Sequence, residues 1–177
     1  MTRFDRIHTL HTLGPSGTNC HAAAEAWFRR QDRDPDVRLH TTFEDATLRV
    51  RGEPNTALMA CAAYPLLHSI VFENLEWLDM YDTILLPTHP MLLASRRGVP
   101  LHTVATHPSP QALVPAGLVR KLVTSNAQAA IECAEGRADG CITTLPAARE
   151  HNLAILRDFG PVGTAFTIHA HRSVGSD

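Results

Sequence analysis

At 177 residues the chain is one domain long, or two small lobes, and with 44% hydrophobic and 19% charged residues it can bury roughly 70% of its unfolded surface. That balance excludes intrinsic disorder and fibrous repeats, and a net charge of -2 leaves no basic surplus to neutralise a phosphate backbone, so no nucleic-acid partner is expected. No run of about 18 apolar residues is present, so no membrane partner is expected either.

Strand-like and helical segments alternate. Ile7 to Leu13 reads as a strand that stops at the turn Gly14-Pro15-Ser16-Gly17. An alanine-rich helix follows, capped at Thr18 or Asn19 and running to Arg30. After a polar loop, Val37 to Thr41 is a strand, Thr42 caps a helix over Phe43 to Arg51, and Thr56 to Cys61 is a buried strand. Leu66, Leu67, Ile70, Val71, Leu75 and Leu78 recur at helical spacing and predict one apolar helix face. Thr83 to Leu86 and Met91 to Ser95 are strands around Pro87-Thr88-His89-Pro90, read as a crossover between lobes. Leu101 to Thr106 is a strand, Ser109 to Leu118 a helix and Lys121 to Thr124 a strand. Asn126 to Glu135 is a helix ended by Gly136, followed by a strand over Asp139 to Thr143 and a first-turn proline, Pro146. Strands over Leu153 to Arg157 and Thr164 to His171 close the chain, with Phe166, Ile168 and Ala170 on one face. The pattern predicts an α/β fold with largely parallel sheets in two lobes, one of about 1–88 plus 160–177 and one of about 89–159, and a ligand cleft between them.

Several residue types narrow the chemistry. Lys121 is the only lysine, in a setting like a strand edge, which argues against pyridoxal and Schiff-base enzymes. Cys20, Cys61, Cys133 and Cys141 form no Cys-x-x-Cys pair and read as reduced, mostly buried thiols, with Cys20 the one candidate nucleophile. The 11 histidines include the close pairs His8 with His11 and His169 with His171, but no metal-ligand motif, so no metal and no cofactor are expected. Met1-Thr2-Arg3-Phe4-Asp5-Arg6 lacks the apolar core of a signal peptide, and a cytoplasmic chain is expected.

Two segments suit anionic ligands. In Thr12 to Asn19 the glycines let backbone approach a ligand and the helix start offers N–H groups; the alternative is a simple capped turn. In Val123 to Ala130 a strand ends in hydroxyl and amide groups where a helix begins; the alternative is an ordinary Ser or Thr cap. Two such cradles facing one cleft would suit a small acid with two carboxylates.

Thr12-Leu13-Gly14-Pro15-Ser16-Gly17-Thr18, Leu85 to Ala94, Thr106-His107-Pro108 with Gln111-Ala112-Leu113, Thr124-Ser125-Asn126-Ala127, and Ala134-Glu135-Gly136 to Ala147-Ala148 resemble, in order, prephenate dehydratases over nearly the whole chain. The resemblance implies a two-lobed fold like that of type II periplasmic binding proteins. Two places depart from the family pattern. Its Thr-Arg-Phe reads Thr164-Ala165-Phe166 here, and its Glu-Asn-Ser after the third strand reads Ala63-Tyr64-Pro65. The chain also stops at Asp177, where a regulatory ACT domain usually follows, so feedback control through that domain is not expected. These departures resemble a divergent branch, the prephenate decarboxylases of the bacilysin type.

That resemblance implies a cofactor-independent lyase removing the ring carboxylate of prephenate while keeping the ring hydroxyl, for antibiotic biosynthesis. It implies pyruvyl-end binding by Gln111, Thr124, Ser125 and Asn126, and ring-end binding by Pro15, Ser16, Gly17, Thr18 and Asn19, with Ser16 and Thr18 as donors. His107 and Tyr64 are candidates for a proton donor or for hydroxyl positioning, and Thr164 matches the family's catalytic threonine. A structural histidine and a packing tyrosine are the alternatives at those two positions. A phenylpyruvate-forming dehydratase, a non-catalytic small-acid binding module and a hydrolase or acyltransferase using Cys20 remain open. A homodimer is the assembly considered.

Overall fold

The structure, a computed structural model, describes residues 6–172; the first five residues read for a leader lie outside it. The chain forms two compact units. One takes the chain up to Leu86 and again from Gly163, and the other runs Pro87–Val162.

The first unit holds β1 (Thr9–Leu13), α1 (Asn19–Arg29), β2 (Val37–His40), α2 (Phe43–Gly52), β3 (Thr56–Cys61), α3 (Leu67–Glu73) and β4 (Leu78–Pro87). Its sheet order is β2-β1-β3-β10-β4, closed by β10 (Gly163–His171). β1 is parallel to both β2 and β3, and β10 is antiparallel to β3. Thr18 and Thr42 cap α1 and α2 as their positions predict. Cys20, Ala23, Ala24, Trp27 and Phe28 recur at three- and four-residue steps, so α1 lays one continuous apolar stripe on the sheet. Trp27 also donates its indole N–H to Asp82 at 2.7 Å, which ties α1 to β4.

The second unit holds β5 (Met91–Ser95), β6 (Thr103–Thr106), β7 (Val119–Leu122), α4 (Asn126–Ala134), β8 (Gly140–Thr144), α5 (Leu145–Glu150) and β9 (Ala154–Gly160), in sheet order β7-β6-β8-β5-β9. β6 is parallel to β7 and β8, while β5 is antiparallel to β8 and β9. Gly136 ends α4 at φ +78°, a conformation that side chains disfavour, with its N–H on the Cys133 carbonyl at 3.1 Å. Gly140 has a packing reason. A Cβ there would lie 2.7 Å from Leu101 Cδ2 and 3.1 Å from the Ala94 carbonyl oxygen. Gly140→Ala is therefore expected to destabilise the second unit by about 1–3 kcal/mol, read as a lower midpoint in urea; an unchanged midpoint would show that β5 yields freely.

Three expectations need correction. The sheets are mixed, because β10 and β5 enter antiparallel. The predicted helix over Ser109 to Leu118 is one 3-10 turn, Gln111–Leu113, since Pro108, Pro110, Pro115 and Gly117 leave no room for a longer ladder. The apolar spacing from Leu66 to Leu78 spans α3, a turn and the start of β4. Asn74 stops the helix by donating its side-chain amide to the Ile70 carbonyl at 2.8 Å and accepting the Trp77 indole N–H at 3.1 Å. Leu66 and Leu75 are exposed as a result.

Candidate functional site

The sequence-predicted residues fall into two groups, one on each unit. In the first unit the carboxyl ends of the parallel strands β1 and β3 and the amino end of antiparallel β10 share one sheet edge. The turn after β1 carries a cis Gly14–Pro15 peptide, exposed Pro15, Ser16 and Gly17, and half-buried Thr18 and Asn19. The segment after β3 carries Ala63, Tyr64 and Pro65. The Ala62 N–H donates to the Ala165 carbonyl at 3.0 Å, so Thr164-Ala165-Phe166 and Ala63-Tyr64-Pro65 lie side by side. The two departures from the family pattern are thus neighbours in space.

The turn's donors are more committed than the sequence suggests. Gly17 N–H donates to His21 Nδ1 at 3.0 Å, and Ser16 Oγ lies 3.3 Å from the same nitrogen. Thr18 Oγ1 accepts from the His21 N–H and donates to the Leu13 carbonyl at 3.2 Å. The Thr18 hydroxyl thus caps α1, and Ser16 carries the turn's exposed hydroxyl. Tyr64 packs edge-on against Phe43, ring centroids 4.7 Å apart. Burial, together with the charge and hydrogen bond of Glu44, pushes the Tyr64 phenol up, so it stays protonated.

In the second unit the carboxyl ends of β6, β7 and β8 share an edge with the start of β5. His107 follows β6 and is half-buried. Ser109 N–H donates to its Nδ1 at 3.3 Å, which leaves the ring hydrogen on Nε2. Burial lowers its pKa from the ordinary 6.5, so the ring is neutral at pH 7. That makes His107 a hydrogen-bond donor through Nε2 and a poor source of a full proton. Ser125 Oγ caps α4 by accepting the Gln128 N–H at 3.0 Å, and Thr143 Oγ1 donates to the Asn126 carbonyl at 2.6 Å. Asn126 Oδ1 is buried with no hydrogen-bond partner among the described residues. The exposed Thr124 hydroxyl and the half-buried Gln111 amide have no protein partner among the described residues.

Sequence reasoning missed His21, Glu44, Ser109 and Thr143, all of which orient predicted residues. Only His21 left a trace, four residues after Gly17, where a helical side chain reaches back to the preceding turn. Two other readings concern Cys20 and Lys121. Cys20 lies in the core and burial pushes its thiol up to about 12, so the reading of it as a nucleophile is withdrawn. It is expected to resist iodoacetamide in the native state, checked by mass spectrometry of the alkylated chain. Lys121 sits on edge strand β7 with its ammonium on Glu132 at 2.7 Å; Arg137 holds the other Glu132 oxygen at 2.8 Å. Among the described residues no three His, Cys, Asp or Glu side chains are placed to hold a metal, and no helix is long and apolar enough to cross a membrane.

Comparison with known proteins gives the same fold. The chain is similar to the prephenate decarboxylase of Bacillus subtilis (strain 168), 25% identical over 185 residues, covering 97% of this chain and 91% of that one. Among solved structures it matches prephenate dehydratase from Arthrobacter aurescens in complex with L-Phe, with a TM-score of 0.70 and 20% identity over 93% of this chain. The chain spans 60% of that protein's length. It also matches the periplasmic VFT2 domain of Bordetella pertussis BvgS, at a TM-score of 0.60 and 13% identity, covering 95% of this chain and 82% of that one. No family model matches. The fold is thus an α/β fold of the prephenate dehydratase and periplasmic-binding-protein type.

Proposed function

We propose that this chain is an enzyme that decarboxylates prephenate without aromatising it. The observation that carries the reading is the similarity to a prephenate decarboxylase along 97% of the chain. The adjacency of the two altered segments, at Ala63-Tyr64-Pro65 and Thr164-Ala165-Phe166, supports it.

Dehydration and decarboxylation start from the same bound acid. In both, the bond from the ring to CO2 breaks and its electron pair enters the ring diene. A dehydratase uses that pair to expel the hydroxyl, with a proton on the leaving oxygen. In the proposed reaction the pair instead takes a proton at a distal ring carbon, the hydroxyl stays, and the product is a dihydro-4-hydroxyphenylpyruvate. Ala165 and Ala63 supply no donor that would help the hydroxyl leave.

In this reading Gln111, Thr124, Ser125 and Asn126 bind the pyruvyl end, and Pro15, Ser16, Gly17, Thr18 and Asn19 line the ring end. Neutral His107 holds the ring hydroxyl through Nε2–H. The protonated Tyr64 phenol gives the proton and is restored from water, and Thr164 orients the ring beside it. The reading carries with it a cofactor-free reaction, a cytoplasmic location, a homodimer, and a step toward an antibiotic's unusual amino acid.

Tyr64→Phe keeps the packing on Phe43 and is expected to lower kcat by about 100-fold. A change under about twofold would remove Tyr64 as the proton source. The function itself is tested by proton NMR of prephenate incubated with the purified protein and no added cofactor. Persistent vinyl ring signals, a retained carbinol proton and released CO2 are expected. Phenylpyruvate would make the protein a dehydratase. Prephenate decaying only at its spontaneous rate would leave a binding module.

A further inference from the structure

Beneath the turn that follows β1 lies a pair of histidines to which the proposed reaction gives no role. His11, on β1, is fully buried, and His40 ends β2. His11 Nδ1 and His40 Nε2 are 2.9 Å apart, one ring donating to the other, and the rings stack with centroids 5.1 Å apart. Among the described residues His11 Nε2 is buried without a hydrogen-bond partner, with Glu53 Oε2 3.6 Å away. Arg38 in turn holds that carboxylate oxygen at 3.0 Å. The pair connects directly to the turn, because Gly14 N–H donates to the His40 carbonyl at 2.8 Å. Gly14 also sits tightly on β2, where a Cβ would lie 3.2 Å from Leu39 Cβ.

We propose that His11 and His40 are positioning residues for the turn at Gly14–Asn19, a latch that one shared hydrogen keeps closed and full protonation of the pair opens. A single N–H fits between Nδ1 and Nε2. When both rings are charged, both nitrogens carry hydrogen, the 2.9 Å contact is lost, and two like charges face each other. The His40 carbonyl then no longer fixes Gly14.

The surrounding charges oppose one another. Glu53 and Asp36 favour protonation of His11, while Arg38 opposes it; Asp45 and Glu53 favour protonation of His40, while Arg49 and Arg38 oppose it. The buried face of α1 and the paired length of β3 carry no charged group; their titratable groups are the Cys20 and Cys61 thiols. Burial is the largest influence on both rings and holds both below the ordinary histidine range. The latch is therefore closed at pH 7 and opens on the acid side of pH 6.5. Its functional half rests on the proposal that this turn binds substrate; its structural half does not.

The test is a pH titration of 15N-labelled wild-type protein, following the imidazole nitrogens of both rings and the Gly14 amide. The rings are expected to titrate in two coupled steps below pH 6.5, and the exchange protection of Gly14 to fall about tenfold with the second, more acidic one. In His40→Gln, whose amide can still donate to His11 Nδ1 but takes no proton, the Gly14 response should vanish. For the enzyme, KM for prephenate should rise with the same midpoint in wild type and not in His40→Gln, with kcat unaffected by the latch. A Gly14 amide that ignores the titration of the pair, or rings that titrate independently, overturns the proposal. If Gly14 follows the pair but prephenate is neither bound nor converted, the latch stands and the proposed function fails.

Discussion

His107→Asn is expected to lower kcat for prephenate by about 100-fold, the cost of losing one hydrogen-bond donor aimed at a reacting group. The loss should fall on kcat rather than KM, because the proposed contact with the ring hydroxyl holds the distal ring carbon in place to receive its proton. The product should stay the non-aromatic keto acid, because removing a donor from the hydroxyl does not help it leave. The pH profile separates this role from proton donation. The ring accepts the Ser109 N–H at Nδ1, so it works as the neutral form, and burial keeps that form dominant to below pH 6.5. Activity through His107 should be full at neutral pH and fall only on the acid side, where Nδ1 gains a hydrogen and the bond from Ser109 breaks. A donor acting as imidazolium would give the opposite slope, with rate rising as pH falls. Stopped assays by proton NMR between about pH 5 and 8 read both product ratio and rate; wild-type turnover in the variant would make His107 a structural residue.

What the sequence could show was set by how local each cause is. The caps at Thr18, Thr42 and Ser125 and the stop at Gly136 depend on contacts within a few residues, and all four are where the chain pattern puts them. The mixed sheets were hidden because strand direction follows from pairing across the fold: β10 meets β3 more than a hundred residues earlier in the chain. Leu75 and Leu78 had helical spacing, yet one Asn74 side chain outweighed it. At the candidate site the motifs named residues but not their partners. Thr18 spends its hydroxyl hydrogen on Leu13, and Asn126 keeps an unpaired buried oxygen; neither fact follows from residue type or spacing. The pair His11–His40, 29 residues apart, was equally out of reach.

Acid should weaken the first unit chiefly through His169. This residue on β10 is 4% exposed; Nε2 lies 2.9 Å from Thr167 Oγ1, and Nδ1 is buried without a partner among the described residues. Burial pushes its pKa down to about 4, with the charge of Asp79 on β4 pulling it back. In the unfolded chain the same ring titrates at 6.5, so between pH 6.5 and about 4 the unfolded state binds the proton more readily than the native one. The stability present at pH 7 is therefore lost as pH falls through that window, by about 3 kcal/mol at most, a large share of the roughly 5–15 kcal/mol typical of a domain. His169→Gln can still bond Thr167 and carries no titrating proton. Both tryptophans, Trp27 and Trp77, lie in the first unit, so intrinsic fluorescence in urea follows that unit alone. Wild type should lose about 3 kcal/mol more than the variant between pH 7 and pH 4. Parallel stability curves for the two proteins would mean that His169 is charged as easily in the folded sheet as in water, and that acid acts on this unit through other groups.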